Sequence, residues 1–120
     1  MHRSIRLLAA VALSAVLLAA CGGGASPAPT PQTIAVAATE FKFDPSAISV
    51  STGSAITISL TNGGTIEHDF TIDALSAKVL VKAGETAEAK LGDLAVGTYD
   101  FYCSIPGHKE AGMVGTLEVK

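Results

Sequence analysis

Residues able to bind metal or carry redox chemistry are scarce in this chain. Of its 120 residues, two are cysteine, two methionine and three histidine. Two cysteines allow at most one disulfide, so no disulfide framework of the kind that staples small exported domains is available. No Ser-His-Asp ordering or paired-carboxylate pattern offers a hydrolytic site. A glycine-rich phosphate loop is missing too, since Gly22, Gly23 and Gly24 form a run with no strand before it. No window carries a long apolar stripe at helical period. Positive charge is also short. Arg3 and Arg6 are the only arginines, and beyond them six lysines face eleven acidic residues, a formal charge of −5. That balance argues against nucleic acid as a partner and against an electrostatic grip on anionic lipid.

The N-terminus supplies what the rest lacks. A basic start through Arg6 gives way to an apolar stretch over residues 7–20 that only Ser14 interrupts. This is the pattern of a secretory signal, too short to span a bilayer comfortably. It closes on Leu18-Ala19-Ala20-Cys21, small residues set directly before a cysteine. The arrangement resembles the bacterial lipoprotein box, which implies that residues 1–20 are removed and that Cys21 is lipidated. The competing outcome is a Cys21–Cys103 disulfide. Residues 21–32, with the run Gly-Gly-Gly-Ala-Ser-Pro-Ala-Pro-Thr-Pro-Gln, contain nothing apolar larger than proline after the cysteine. Such a stretch reads as a flexible spacer. The folded domain is expected over residues 33–120, enough for one modest core.

That domain reads as strands. Ile48 and Val50 alternate with serine, and Ile56, Ile58 and Leu60 alternate with Thr and Ser before the turn at Asn62-Gly63-Gly64. His68, Phe70 and Ile72 share one face of the next segment, with Glu67, Asp69, Thr71 and Asp73 on the other. Short segments follow at Val79 to Val81 and Thr86 to Leu91. In the next one Tyr99, Phe101 and Cys103 share a face, and in the last strand Met113, Gly115, Leu117 and Val119 do. Seven or so short strands separated by frequent turns predict an all-β fold, a two-sheet β-sandwich. Parity turns His68, Cys103 and Met113 inward and leaves His108, in a loop, as the one nearest solvent.

Those four residues carry the chemistry. Cys103-x4-His108-x4-Met113 sits within one tight loop, and His68 lies thirty-five residues before the cysteine. If Cys21 is lipidated, Cys103 has no disulfide partner, and an exported free thiol is exposed to oxidation unless something occupies it. Two imidazoles, a thiolate and a thioether are the ligand set of a mononuclear blue-copper electron-transfer site. Zinc competes for Cys and His, but methionine is a poor zinc ligand. Pro106 and Gly107 permit the reversal that brings His108 back toward Cys103, and Gly112 lets the backbone pass close before Met113. Asp69 is placed to accept hydrogen bonds from the Cys103–Ser104 side and join the two ligand segments.

With Tyr99-x-Phe101-Tyr102 ahead of the loop and the early His68-Asp69, these residues resemble the small blue copper proteins of the cupredoxin family, the group of plastocyanin, azurin, auracyanin and halocyanin. The resemblance covers residues 40–120. It implies a Greek-key β-sandwich, a monomeric domain with one type 1 copper held by His68, Cys103, His108 and Met113 at one end. It implies further that electrons pass through His108 within a partner-docking patch of Pro106, Gly107, Ala111 and Gly112. Glu67 stands where azurin has a glycine that supplies an extra carbonyl ligand. Gly107 stands where a dinuclear copper domain needs its second cysteine. With two histidines beyond the signal, both spent on one site, the chain is expected to be a one-electron carrier and not an enzyme. Its partners would be redox proteins such as a cytochrome or a membrane electron-transfer complex. It would work outside the cytoplasm, anchored to a bacterial membrane through Cys21. The other function in view is an extracytoplasmic copper delivery or storage protein, though the chain lacks the methionine-rich tracts that labile delivery sites favour.

Overall fold

A computed structural model describes residues 22–23 and 28–120. The expected signal (residues 1–20), Cys21 and part of the spacer lie outside the described residues. Nine strands follow: β1 (Gln32–Thr39), β2 (Lys42–Asp44), β3 (Ala47–Val50), β4 (Ala55–Asn62), β5 (His68–Ile72), β6 (Ala77–Val81), β7 (Thr86–Asp93), β8 (Gly97–Tyr102) and β9 (Val114–Val119). One sheet runs β2-β1-β4-β7 and the other β3-β9-β8-β5-β6. Both are mixed, because β1 pairs with β4 and β3 with β9 in parallel. The result is the two-sheet sandwich that the alternating segments predict, Greek-key-like as the family resemblance implies.

The strand count exceeds the expected seven because β1 and β2 carry weak signals. In β1 the inward Ile34, Val36 and Ala38 alternate with Ala35 and Ala37, which blunts the contrast between faces. β2 is only three residues long, yet it delivers Phe43 to the core at 2% exposure. A second difference concerns β5, where all five residues are buried, the expected outward Asp69 and Thr71 included. The strand lies between β8 and β6, and Tyr102, Ser104 and Lys78 pack over its outer face.

Apolar side chains from both sheets meet in one core of Val36, Ile56, Ile58, Leu60, Phe70, Ile72, Phe101, Leu117 and neighbours. Burying each such side chain stabilises the fold by about 1.5–3 kcal/mol. Three aromatic rings form its upper layer. Phe70 stacks on Phe101 at 4.6 Å between centroids, and Phe43 meets each edge-on at 5.8 and 5.3 Å. Phe70 lies two residues after His68 and Phe101 two before Cys103, so this layer is the floor beneath the candidate site. Gly115 makes room for it. A Cβ there would run into the Phe101 ring and the Ser46 carbonyl. Gly115→Ala is therefore expected to destabilise the domain by about 1–3 kcal/mol, the usual range for an overfilled core. Urea unfolding of the variant reads it.

Candidate metal centre

Neighbouring strands of the five-stranded sheet and the loop between β8 and β9 bring together His68, Cys103 and His108, whose donor atoms all lie within 4.8 Å of one another. His68 opens β5, Cys103 follows β8, and His108 sits in the β8–β9 loop. That loop is closed at its base, where the Cys103 amide donates to the Met113 carbonyl at 3.1 Å. The His108 amide donates back to Ile105 O at 3.0 Å, and the Met113 amide to His108 O at 3.1 Å. Gly107 and Gly112, at φ 85° and 104°, take the left-handed turns this path requires. The sequence places Pro106 beside Gly107, and Pro106, Gly107, Ala111 and Gly112 are all exposed at the loop's surface.

His68 Nδ1 and His108 Nδ1 face each other at 3.2 Å, and Cys103 Sγ lies 3.3 Å from His108 Nδ1. Only one of two facing ring nitrogens can carry the proton in such a contact. A metal ion would replace that proton and use both lone pairs, which is the fit these donors make. His68 Nε2 is buried with no hydrogen-bond partner among the described residues. Burial, and then proximity to His108, pushes the His68 imidazolium pKa down and so favours the neutral, ligating form. Burial pushes the Cys103 thiol up, and the hydrogen bond from the Asp69 amide works against it. A ligated cation would complete what that amide begins, by favouring the thiolate. Met113 is fully buried at the base of the same loop. Two imidazoles and one thiolate, buried together, are the donor set of a single type 1 copper centre.

Asp69 ties the ligand segments to each other. Its amide donates to Cys103 Sγ at 3.3 Å, while its carboxylate accepts from the Ser104 amide at 2.7 Å and the Ser104 hydroxyl at 2.6 Å. Thr71 adds a hydroxyl at 3.0 Å. Lys78 Nζ lies 3.4 Å from the carboxylate and donates to Ser104 Oγ at 2.7 Å. Burial alone would raise the Asp69 pKa. The Ser104 and Thr71 hydrogen bonds and the Lys78 charge outweigh it and hold the carboxyl below its ordinary value.

Three residues of this end are not evident from sequence patterning as site residues. Asn62, fully buried, braces the segment that leads into His68. Its Nδ2 donates to Ile66 O at 2.7 Å and Val81 O at 3.1 Å, and its Oδ1 accepts from the Gly64 amide at 2.9 Å. Glu40, in the β1–β2 turn, accepts from both the amide and the hydroxyl of Thr65. Next to it Phe41 stands edge-on to His108 at 5.1 Å between centroids. Phe41 has φ 61°, a left-handed conformation that costs a non-glycine residue about 1–2 kcal/mol.

The backbone hydrogen bond from Thr65, followed by that of Glu40's own amide and then by the Thr65 hydroxyl, lowers the Glu40 pKa from 4.5 to about 2. Its stabilising contribution is whole above pH 4.5 and disappears as pH falls toward about 2. Glu40→Gln is expected to flatten the loss of stability across that window, which urea midpoints measured at either end of it would show.

The cupredoxin-like domain family matches residues 8–117. The copper-resistant cuproprotein CopI of Rubrivivax gelatinosus is 32% identical over 100 residues, covering 67% of this chain and 61% of that protein. Auracyanin-B of Chloroflexus aurantiacus is 43% identical over 49 residues, 41% of this chain and 21% of that protein. The chain thus spans about three fifths of the first relative's length and a fifth of the second's. Among solved structures, dithionite-reduced auracyanin from Roseiflexus castenholzii shares the fold, with a TM-score of 0.67 at 23% identity over 76% of this chain and 98% of that one. The family match across most of the sequence and the buried His-Cys-His cluster at the end of the sandwich lead to one conclusion: this chain belongs to the cupredoxin family.

Proposed function

We propose that the domain carries one electron at a time between extracytoplasmic redox partners, using a single type 1 copper. The observation that carries this reading is the convergence of Cys103 Sγ with the two Nδ1 atoms at the buried end of a rigid sandwich. Copper bound there would supply one-electron exchange between its cuprous and cupric states. The chain's own contribution is to hold the donors and keep water out. Cys103 would offer a soft thiolate, His68 and His108 would offer borderline donors suited to both oxidation states, and Met113 would add a weak thioether. Anchored on neighbouring strands of one sheet and locked by Asp69, these groups have little freedom to rearrange when charge changes, which favours fast transfer. His108, at 8% exposure, is the only one of the four with measurable surface. The exposed Pro106, Gly107, Ala111 and Gly112 around it are the candidate docking patch for a cytochrome or other redox protein.

The leader fits the same setting. Removal of residues 1–20 and lipidation of Cys21 would tether the domain to a bacterial membrane by a spacer running to residue 32, with folded chain from residue 33. Intact mass of the N-terminal peptide from membranes tests this, because acyl chains on Cys21 add a discrete increment and an unmodified cysteine contradicts the anchor.

A second reading, copper delivery or storage, draws on a specific observation: the relative with the longer match is named for copper resistance. Repeated redox cycling with a cuprous chelator present separates the two. A carrier keeps its metal and exchanges one electron per chain through many cycles, whereas a delivery protein loses copper to the chelator on first reduction.

A further inference from the structure

Holding four ligands does not require the geometry of the β1–β2 turn. A bulky aromatic residue at positive φ is a backbone outlier, and such conformations persist where the surroundings enforce them. Here the enforcement is visible. Glu40 is bonded to Thr65 in the segment leading to His68, so the turn is pinned to the strand that carries one donor. The pinning aims the adjacent Phe41 ring at the other histidine, edge-on at 87° and 5.1 Å. Phe41 is itself 41% exposed, whereas His108 beneath it is only 8% exposed. The aromatic ring thus faces solvent on one side and the imidazole on the other.

We infer that Phe41 is a positioning residue for the metal centre, a fixed shutter that covers the outer edge of His108, sets the imidazole's orientation and limits water at the donors. The inference rests on the copper reading and deepens it. The apolar shell around a metal site governs solvent access and local dielectric, and through them the potential. Without the ring, water would reach His108 more readily and favour the state of higher charge, the oxidised one.

Glycine separates this role from a structural one, because it adopts φ 61° without the penalty a side chain incurs. Phe41→Gly is expected to unfold no more easily than the parent, yet to shift the Cu(II)/Cu(I) ratio at fixed ambient potential three- to fivefold toward Cu(II). At 59 mV per tenfold for one electron, that is a drop of about 28–41 mV. In the metal-free protein, diethyl pyrocarbonate is expected to modify His108 at least threefold faster. Phe41→Tyr, which keeps the ring, should restore both parental values, and Phe41→Leu serves in place of glycine if that variant folds poorly. Unchanged potential and unchanged modification rate in a copper-retaining variant would overturn the shutter while leaving the carrier function standing. Failure of the parent chain to take up copper would instead count against the carrier, and the modification rates would still decide the shutter.

Discussion

Replacing Cys103 with serine is expected to weaken copper retention by more than a hundredfold and to abolish the blue colour of the loaded protein. Cys103 is the free cysteine of the described residues and is fully buried. Serine there keeps a similar size and can still accept from the Asp69 amide, but a hydroxyl is a hard donor that stays protonated at neutral pH. The expected magnitude follows from comparison. Partners one layer out from a metal typically change affinity 10–100-fold when removed, so losing the soft ligand itself exceeds that. The sandwich should survive, because the core beneath is aromatic and aliphatic and loses no contact surface of its own. Equilibrium dialysis against a copper buffer, with circular dichroism as the check on folding, reads both halves of the prediction. A folded serine variant that held copper as tightly as the parent would show that the thiolate is not a ligand.

The second large effect lies outside the ligand set. Asn62→Leu is expected to destabilise the fold by about 2–4 kcal/mol, since three hydrogen bonds worth roughly 0.5–1.5 kcal/mol each are lost and the buried Val81 carbonyl loses its side-chain donor. Leucine keeps the branched skeleton of asparagine and is bulkier, so the loss does not report a cavity. The side chain spans Gly64, Ile66 and Val81 and thereby fixes residues 63–67 just before His68. For a domain of this size the change lowers Tm by roughly 10–25 °C. Metal retention should fall as well, because the first donor of the site loses its support. A thermal melt within 2 °C of the parent's would mean that ordered water replaces the amide at little cost.

The contrast between these two residues shows what the chain makes legible. Cys103, His108 and Met113 lie within eleven residues of one another, and parity with Phe101 and Leu117 turns the first and last inward. Their meeting is a local event, so spacing reveals it. His68 is assigned by parity with Phe70 and Ile72 and by being the one histidine besides His108 in residues 21–120. Asn62 and Glu40 act through contacts that no local pattern records. The bond from Asn62 to Val81 spans nineteen positions and that from Glu40 to Thr65 twenty-five. Phe41 meets His108 although most of the domain's sequence lies between them. β1 escaped patterning because alanines occupy its outer face as well as part of its inner one. The burial of Asp69 and Thr71 depends on β5 lying inside its sheet, a fact of strand order that alternation within one strand does not contain.

Cys103, His68 and His108 are proposed to hold one copper through a thiolate. The visible absorption spectrum of the copper-loaded protein, recorded before and after a mild reductant and again after reoxidation, tests it most directly. One copper per chain is expected, with an intense blue thiolate-to-copper band that bleaches on reduction and returns on reoxidation. A protein that retains no copper, or holds it only as colourless Cu(I) with no stable oxidised form, would contradict it.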